Sequence, residues 1–267
     1  MAKYYRPSDL KEALELRARE PLTVLAGGTD VFPAHTTRAA WSGNRPPNIL
    51  DISTLPDLRK IEQTGDHWRF GALSTWTDLV RTDLPSQFDG LKRAAVEVGG
   101  RQIQNRATIA GNLCNASPAA DGVPGLIALD AAVELTSRSS TRIVPLHEFI
   151  TGNRQTELRS DEILTGILVP KWHDATRTHF LKLGARHYLV ISIVMGAVTL
   201  QPASDGTVDK ARIVIGSCSA VARRIPLLEE ALTGQPMDSD LSSAVSPDQF
   251  SHLEPIDDIR ASAAYRR

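Results

Sequence analysis

The residues best suited to chemistry lie in a run of small and polar side chains at positions 107–121, ATIAGNLCNASPAAD. The run has no helical or strand period and adds little to a hydrophobic core. Small residues let backbone N–H groups approach a ligand closely, and Asn112, Asn115 and Ser117 add polar side chains. The run predicts a cradle for a polyphosphate or a dinucleotide. A tight surface loop that satisfies only its own turns is the alternative that this run alone leaves open.

A second run of the same kind stands near the N-terminus, LTVLAGGTDVFP at residues 22–33. A predicted buried strand ending near Leu25 is followed at once by two glycines, and then by Thr29 and Asp30. A strand followed by a glycine turn presents backbone amides to phosphate. The run is not a Walker loop, because no Gly-Lys-Ser/Thr follows, and it lacks the third glycine of the Rossmann fingerprint. Two such runs suggest a long ligand that is held from two sides.

Taken together, LAGGTDVFP and RQIQNRATIAGNLCNASPAAD resemble the FAD-binding medium subunit of the molybdenum hydroxylases. That family includes xanthine, aerobic carbon monoxide and N-heterocycle dehydrogenases. The resemblance covers nearly the whole chain, through YYRPSDLKEAL, DEILTGILVP, FLKLGAR and DIRASAAYRR. It implies that this chain carries FAD, takes electrons from the [2Fe-2S] clusters of a small subunit and passes them to an external acceptor. It also implies a large subunit with the molybdopterin cofactor, and a dimer of heterotrimers.

The resemblance also implies which residues contact the cofactor. The first run is expected to lie along the pyrophosphate and its neighbouring sugar, mostly through backbone amides, at Leu25, Ala26, Gly27, Gly28, Thr29, Asp30 and Val31. The second run is expected to bind the phosphates from the other side, at Thr108, Gly111, Asn112, Asn115 and Ser117.

Three further residues complete the implied site. Asp121 is expected to hydrogen-bond the polyol or ribose hydroxyls, and Leu164 to pack on the isoalloxazine ring. Lys182 is expected at the pyrimidine edge of the flavin, where a cation stabilises the reduced ring. Without the resemblance, Asp121 would be taken for a helix-capping carboxylate and Lys182 for an exposed strand lysine.

Three features depart from the family's pattern. Ala110 stands where Thr-Ile-Gly-Gly-Asn is usual, which requires a backbone φ below zero at that position. Tyr188 lies in the variable segment ARHYLVIS and is a candidate for stacking on the flavin or guarding it, although a tyrosine more often packs on a sheet surface. Relatives usually continue past RASAAYRR with another helix, whereas this chain stops at Arg267.

Composition excludes several other classes of protein. The 267 residues are 42% hydrophobic and 23% charged, with a formal net charge of −1. That balance is typical of a soluble globular protein and argues against a general nucleic-acid binder. No run suits a membrane span and no signal peptide opens the chain, which predicts a cytoplasmic protein. Cys114 and Cys218 suggest neither a disulfide framework nor a metal site, and both are expected to be buried.

The order of elements predicts an α+β protein. A two-part N-terminal α/β FAD-binding domain is expected over residues 1–54, with the first run, and 55–170, with the second. A C-terminal domain of a three-stranded antiparallel sheet with helices is expected over residues 175–267.

Several local predictions accompany this division. Ser8 is predicted to cap the first helix, and residues 41–48 to form a loop. Helices are predicted near 118–129, 221–233 and 238–245.

Two other functions remain open. A self-contained flavin oxidase would need a larger substrate domain than the residues after Pro170 provide, and some such enzymes attach FAD covalently, for which Cys114 lies in a suitable run. A non-catalytic assembly subunit could have lost FAD, but the intact glycines, Asn112, Asp121 and Lys182 argue against it. No catalytic residue is expected in this chain, because the substrate chemistry belongs to the large subunit in this family.

Overall fold

A small parallel sheet and one helix form the N-terminal part of the protein, which the computed structural model describes over residues 2–33 and 47–267. Strands β1 (Tyr4–Tyr5) and β2 (Thr23–Leu25) both pair in parallel with β3 (Ile49–Asp51). The predicted loop at 41–48 lies mostly outside the described residues.

Helix α1 (Leu10–Arg19) covers this sheet with a short apolar stripe. Its buried residues Ala13 and Leu14 belong to one cluster with Leu50 of β3. The N-cap is Asp9, whose side chain accepts a hydrogen bond from the Glu12 N–H at 2.8 Å. The prediction of Ser8 as the cap was wrong by one residue, since Ser8 instead donates to the Glu12 carboxylate.

Five antiparallel strands form the second sheet, in the order β4-β5-β10-β6-β7. Their bounds are β4 (Ile61–Thr64), β5 (His67–Gly71), β6 (Ala132–Thr136), β7 (Thr141–Pro145) and β10 (Ile163–Pro170), and a separate hairpin is made by β8 (Ile150–Gly152) and β9 (Gln155–Thr156). The central strand β10 is buried along most of its length, which accounts for its continuous apolar run.

The chain between these strands is largely helical. The helices are α2 (Trp76–Arg81), α3 (Asp89–Glu97), α4 (Arg101–Gln104), α5 (Ile109–Asn115), α6 (Gly122–Ala128) and α7 (Leu146–Phe149). The helix predicted over 118–129 begins only at Gly122. The chain turns before that point, because Ala116 adopts a left-handed conformation with φ 46° and the Ala120 N–H bonds to the Ser117 carbonyl.

Part of the second glycine-containing run, Ile109–Asn115, is helical, which its sequence did not predict. Thr108 is the N-cap of α5, and its hydroxyl accepts the Gly111 N–H at 3.0 Å. The small residues of this run leave no clear apolar stripe, so its helical period is hidden. Ala110 lies inside the right-handed helix, which meets the requirement that the sequence placed on its φ.

The C-terminal domain is an antiparallel sheet, as predicted, but with four strands in place of three. The strands are β11 (Arg177–Leu183), β12 (Val194–Pro202), β13 (Val208–Gly216) and β14 (Arg223–Arg224), in sequence order. Strand β14 is too short to have a sequence period, and it occupies the start of the helix predicted at 221–233. That helix, α8 (Pro226–Leu232), begins after it, and α9 (Ala263–Arg266) ends the chain. The helix predicted near 238–245 is a 3-10 turn at Leu241–Ala244.

The two domains meet through α3, α6 and an ion cluster. Gly90 of α3 lies against β11 so closely that a Cβ there would be 3.0 Å from the His179 backbone nitrogen. Asp130 accepts hydrogen bonds from Lys210 at 2.7 Å and Arg212 at 2.9 Å. Because these contacts hold β11 next to α3, the C-terminal domain brings Lys182 to the cofactor-binding half of the chain. Within 2–33 and 47–267, no helix is long and apolar enough to cross a membrane.

Candidate cofactor site

The two glycine-containing runs line a common cavity of about 470 Å³. The first run contributes Ala26, Gly27, Gly28, Thr29, Asp30 and Val31. The second contributes Thr108, Gly111, Asn112 and Asn115. Thus the structure brings together most of the residues that the sequence analysis selected, although the runs lie far apart along the chain.

Direct backbone packing joins the two runs at Gly27. A Cβ at Gly27 would lie 2.0 Å from the Arg106 carbonyl oxygen, so only glycine permits this approach. The next residue, Gly28, has φ +76°, a left-handed conformation that side chains strongly disfavour. Both glycines are therefore required by the local backbone, Gly27 by the close approach of Arg106 and Gly28 by its φ.

Two residues that line this cavity each carry a buried polar atom with no hydrogen-bond partner within the described part of the chain. The atoms are the donor Nε1 of Trp76 and the acceptor Oδ1 of Asn112. Each buried polar group without a partner costs about 1–3 kcal/mol of stability, so such groups are rare in protein interiors. A ligand with phosphate and hydroxyl groups suits a wall made of backbone amides, a threonine hydroxyl and asparagine amides. The residues present therefore fit a dinucleotide.

A second, largely apolar cavity of about 250 Å³ adjoins the first. The two share Val24, Ala26, Gly111 and Cys114, and Leu164 lines only the second. An elongated ligand with aromatic ends and a charged middle suits this arrangement, since apolar rings bind in apolar pockets. The predicted packing of Leu164 on the isoalloxazine ring stays a prediction.

Asp121 and Lys182 lie outside the lining of both cavities and bind each other. Lys182 Nζ donates to Asp121 Oδ2 at 2.7 Å and to the Glu97 carbonyl at 3.3 Å, and the Ser192 hydroxyl donates to Asp121 Oδ1. The side chains of Lys182 and Asp121 are only 5% and 10% exposed. Burial raises the pKa of Asp121, against the opposing effect of Lys182. An exposed strand lysine is therefore excluded, and Asp121, although at the N-cap of α6, makes no capping hydrogen bond.

The remaining selected residues are placed in different ways. Leu25 is 5% exposed and belongs to the core, and its carbonyl accepts the Ile52 N–H. Ser117 accepts the Ala119 N–H in the turn before α6. Tyr188 is half exposed, and its hydroxyl would lie 3.1 Å from a Cβ at Gly100, next to α4. The roles predicted for these residues toward the cofactor stay predictions.

Several residues of the cavity wall were not found from the sequence. They are Val24, Trp76, Val98, Ile103, Ala107 and Cys114. Five of them are apolar residues of strands, helices and their ends, where an apolar side chain is most often part of the core. Only the backbone path shows that they border a cavity.

Cys114 borders both cavities, and its side chain is reachable from solvent although protein surrounds it on most sides. The expectation that it is buried was therefore wrong, whereas Cys218 is buried at 1% exposure. The protein surroundings raise the pKa of the Cys114 thiol to about 12. A protonated thiol is a poor nucleophile, which disfavours covalent attachment of FAD at this position.

This pKa predicts the reactivity of Cys114. At pH 7.5 its thiolate fraction is on the order of a thousandfold below that of an ordinary cysteine, so iodoacetamide should modify it slowly. The rate should rise with pH up to about 12, and bound FAD should suppress it. Mass spectrometry of the Cys114 and Cys218 peptides measures both effects in one sample. Rapid modification at pH 7.5, unchanged by FAD, would contradict this assignment.

The fold and the site define a class: a flavoprotein whose dinucleotide-binding domain is followed by an antiparallel C-terminal domain. Residues 1–172 match the model of the FAD binding domain in molybdopterin dehydrogenase, and residues 179–267 match the CO dehydrogenase flavoprotein C-terminal domain. The chain belongs to this family of FAD-binding medium subunits of molybdenum hydroxylases.

Individual relatives agree with this membership over nearly their whole length. The nicotinate dehydrogenase FAD-subunit of Eubacterium barkeri is 30% identical, with 99% of this chain and 90% of that protein covered. The xanthine dehydrogenase FAD-binding subunit of Escherichia coli O157:H7 is also 30% identical, with the same coverage of 99% and 90%. The structure of carbon monoxide dehydrogenase from Hydrogenophaga pseudoflava superposes with a TM-score of 0.89 at 28% identity, covering 99% of this chain and 91% of that chain.

Proposed function

We propose that this chain is the electron-transfer subunit of a molybdenum hydroxylase, in which FAD receives electrons from [2Fe-2S] clusters of a small subunit. The substrate is oxidised on a large subunit with the molybdopterin cofactor, and an external acceptor takes the electrons from FAD. FAD suits this position because it exchanges electrons singly or in pairs. Membership of the family and the converging glycine-containing runs support this proposal.

The chain's own residues bind and orient the cofactor in this proposal. Backbone N–H groups of residues 26–29 hold the pyrophosphate, and Thr108, Asn112 and Asn115 hold it from α5 and its N-terminal end. Leu164 packs against a ring in the adjoining apolar cavity.

Asp121 and Lys182 serve the flavin end of the same site. Their ion pair fixes the lysine ammonium in a buried position, since Glu97 and Asp121 both accept from it. A cation held there lowers the energy of added negative charge on a nearby ring. The carboxylate of Asp121 is available for a cofactor hydroxyl through its remaining lone pairs.

The partners follow from the same family membership. The curated carbon monoxide dehydrogenase relative from Hydrogenophaga pseudoflava is named a medium chain, and the 6-hydroxypseudooxynicotine dehydrogenase relative is named as part of a complex. We propose that this chain is the medium subunit of a cytoplasmic assembly that contains two copies each of a large, a medium and a small subunit. Size measurement of the purified complex tests the stoichiometry.

The visible absorption spectrum of the purified chain, before and after denaturation, tests the central proposal. A yellow protein that releases FAD in a near one-to-one ratio supports the electron-transfer function. Flavin that stays with the precipitated protein would instead indicate covalent attachment. A folded protein that remains colourless with added FAD would contradict the proposal and favour an assembly subunit.

A further inference from the structure

The turn of the β8–β9 hairpin is hydrogen-bonded to Ala116, the residue that follows helix α5. Arg154, in the turn of this hairpin, has φ 56°, and Ala116, which follows α5, has φ 46°. The Arg154 N–H donates to the Ala116 carbonyl at 2.8 Å, so two left-handed residues other than glycine are bonded to each other. Such conformations are uncommon and persist where surrounding structure enforces them, often at functional sites.

The side chain of Arg154 reaches the neighbouring wall residue of the cavity. Its Nη1 donates a hydrogen bond to Asn115 Oδ1, and Asn115 lines the 470 Å³ cavity. A guanidinium has only donors, so it can hydrogen-bond only to the oxygen of the asparagine amide, which accepts. The Nδ2 end, with its two N–H donors, is then left for the cavity.

This orientation matters for an anionic ligand. An amide that turned its oxygen toward a pyrophosphate would repel it, whereas the Nδ2 donors attract it. Among the described residues that line the cavity, the one charged side chain is that of Asp30, which is negative. The wall therefore depends on correctly directed neutral donors.

We propose that Arg154 is a positioning residue for FAD, which acts by holding the Asn115 amide with its N–H donors toward the cofactor phosphates. This inference rests on the proposed function, because it assumes that FAD occupies the cavity. Arg154 does not itself line the cavity, so its effect passes through Asn115. The strained hairpin turn places the guanidinium, and its backbone bond to Ala116 fixes the distance between hairpin and helix.

Arg154→Gly separates this role from a structural one. Glycine adopts the left-handed conformation without strain and keeps the backbone N–H, so the ligand-free protein should be as stable as the native chain or more so. The FAD dissociation constant, measured by flavin fluorescence on the refolded or deflavinated protein, should rise about tenfold as one wall contact is lost. Arg154→Lys should retain most of the affinity, since an ammonium can also donate to Oδ1. The control Arg138→Gly removes another exposed arginine from a hairpin turn and should leave FAD affinity unchanged.

A double-mutant cycle decides whether the effect passes through Asn115. In an Asn115→Ala background, Arg154→Gly should change the FAD dissociation constant less than twofold, because the amide that it orients is absent. A full tenfold loss in that background, or native affinity in Arg154→Gly alone, would overturn the positioning role. If the native chain itself failed to bind FAD, the proposed function would fail instead, so the two failures are distinguishable.

Discussion

Gly27→Ala is expected to weaken FAD binding strongly, because it separates the two glycine-containing runs. The added Cβ would lie 2.0 Å from the Arg106 carbonyl oxygen and 2.8 Å from its carbon, which are backbone atoms that cannot rotate away. Accommodating it should cost about 1–3 kcal/mol of stability, as overpacking generally does. The movement opens the cavity at the phosphate position, and we expect FAD affinity to fall on the order of a hundredfold. Flavin content after gel filtration, with circular dichroism as a check on folding, measures the effect.

A matched control is Gly196→Ala in β12, where the nearest atom to an added Cβ is 3.6 Å away, an ordinary contact. It should keep both fold and flavin.

If Gly27→Ala does not fold, Gly28→Ala replaces it, because it adds left-handed strain of about 1–2 kcal/mol to the same run. Its own control is Gly65→Ala, whose φ of +56° imposes the same strain in a hairpin turn with no atom within 4 Å. Full flavin occupancy in both Gly27→Ala and Gly28→Ala would disprove the two-run site.

Lys182→Met is expected to destabilise the protein by about 3–5 kcal/mol at neutral pH, because it leaves the buried Asp121 carboxylate without its cation. The destabilisation arises from the ionised form of Asp121. Burial raises the pKa of this carboxyl group, and Lys182 opposes that rise. Without the lysine the folded-state pKa of Asp121 rises further above its unfolded value. The loss of stability should therefore be small below about pH 4, where the carboxylate is largely protonated in the folded state of both the native protein and the variant, and should grow as pH rises.

The double variant Lys182→Met/Asp121→Asn should recover most of the stability, since no unpaired buried charge remains. Urea unfolding at several pH values measures these differences. In the flavin-loaded protein, Lys182→Met should also lower the reduction potential of the bound flavin, because a nearby cation favours the reduced ring. Unchanged stability would contradict the buried ion pair, and an unchanged potential would place Lys182 away from the ring.

Local chemistry made much of this protein predictable from its sequence. The glycines at 27 and 28 indicate a position where another backbone or a ligand approaches closely. The strand predicted before them places this position at a strand end. Three strands of the C-terminal sheet carry their own alternating patterns and turn signals, so an antiparallel sheet was predictable there. The order of the motifs identified the family, and the comparisons confirm it.

Other features depend on contacts between distant segments. The helix at Ile109–Asn115 was missed because its small residues carry no strong period, and its Thr108 cap acts only once the helix exists. The Asp121–Lys182 pair joins two domains, so neither residue alone indicates that its partner neutralises it.

What the sequence determined by itself is therefore which residues can do chemistry and to which family they belong, because side-chain type and short spacing act locally. The tertiary structure alone decided that Leu164 lies in a separate apolar cavity, that Cys114 borders both cavities and that Arg154 reaches Asn115. Burial, pKa and the direction of an amide depend on which distant segments surround a group. Those neighbours are set by the path of the folded backbone and not by the residue's own place in the chain.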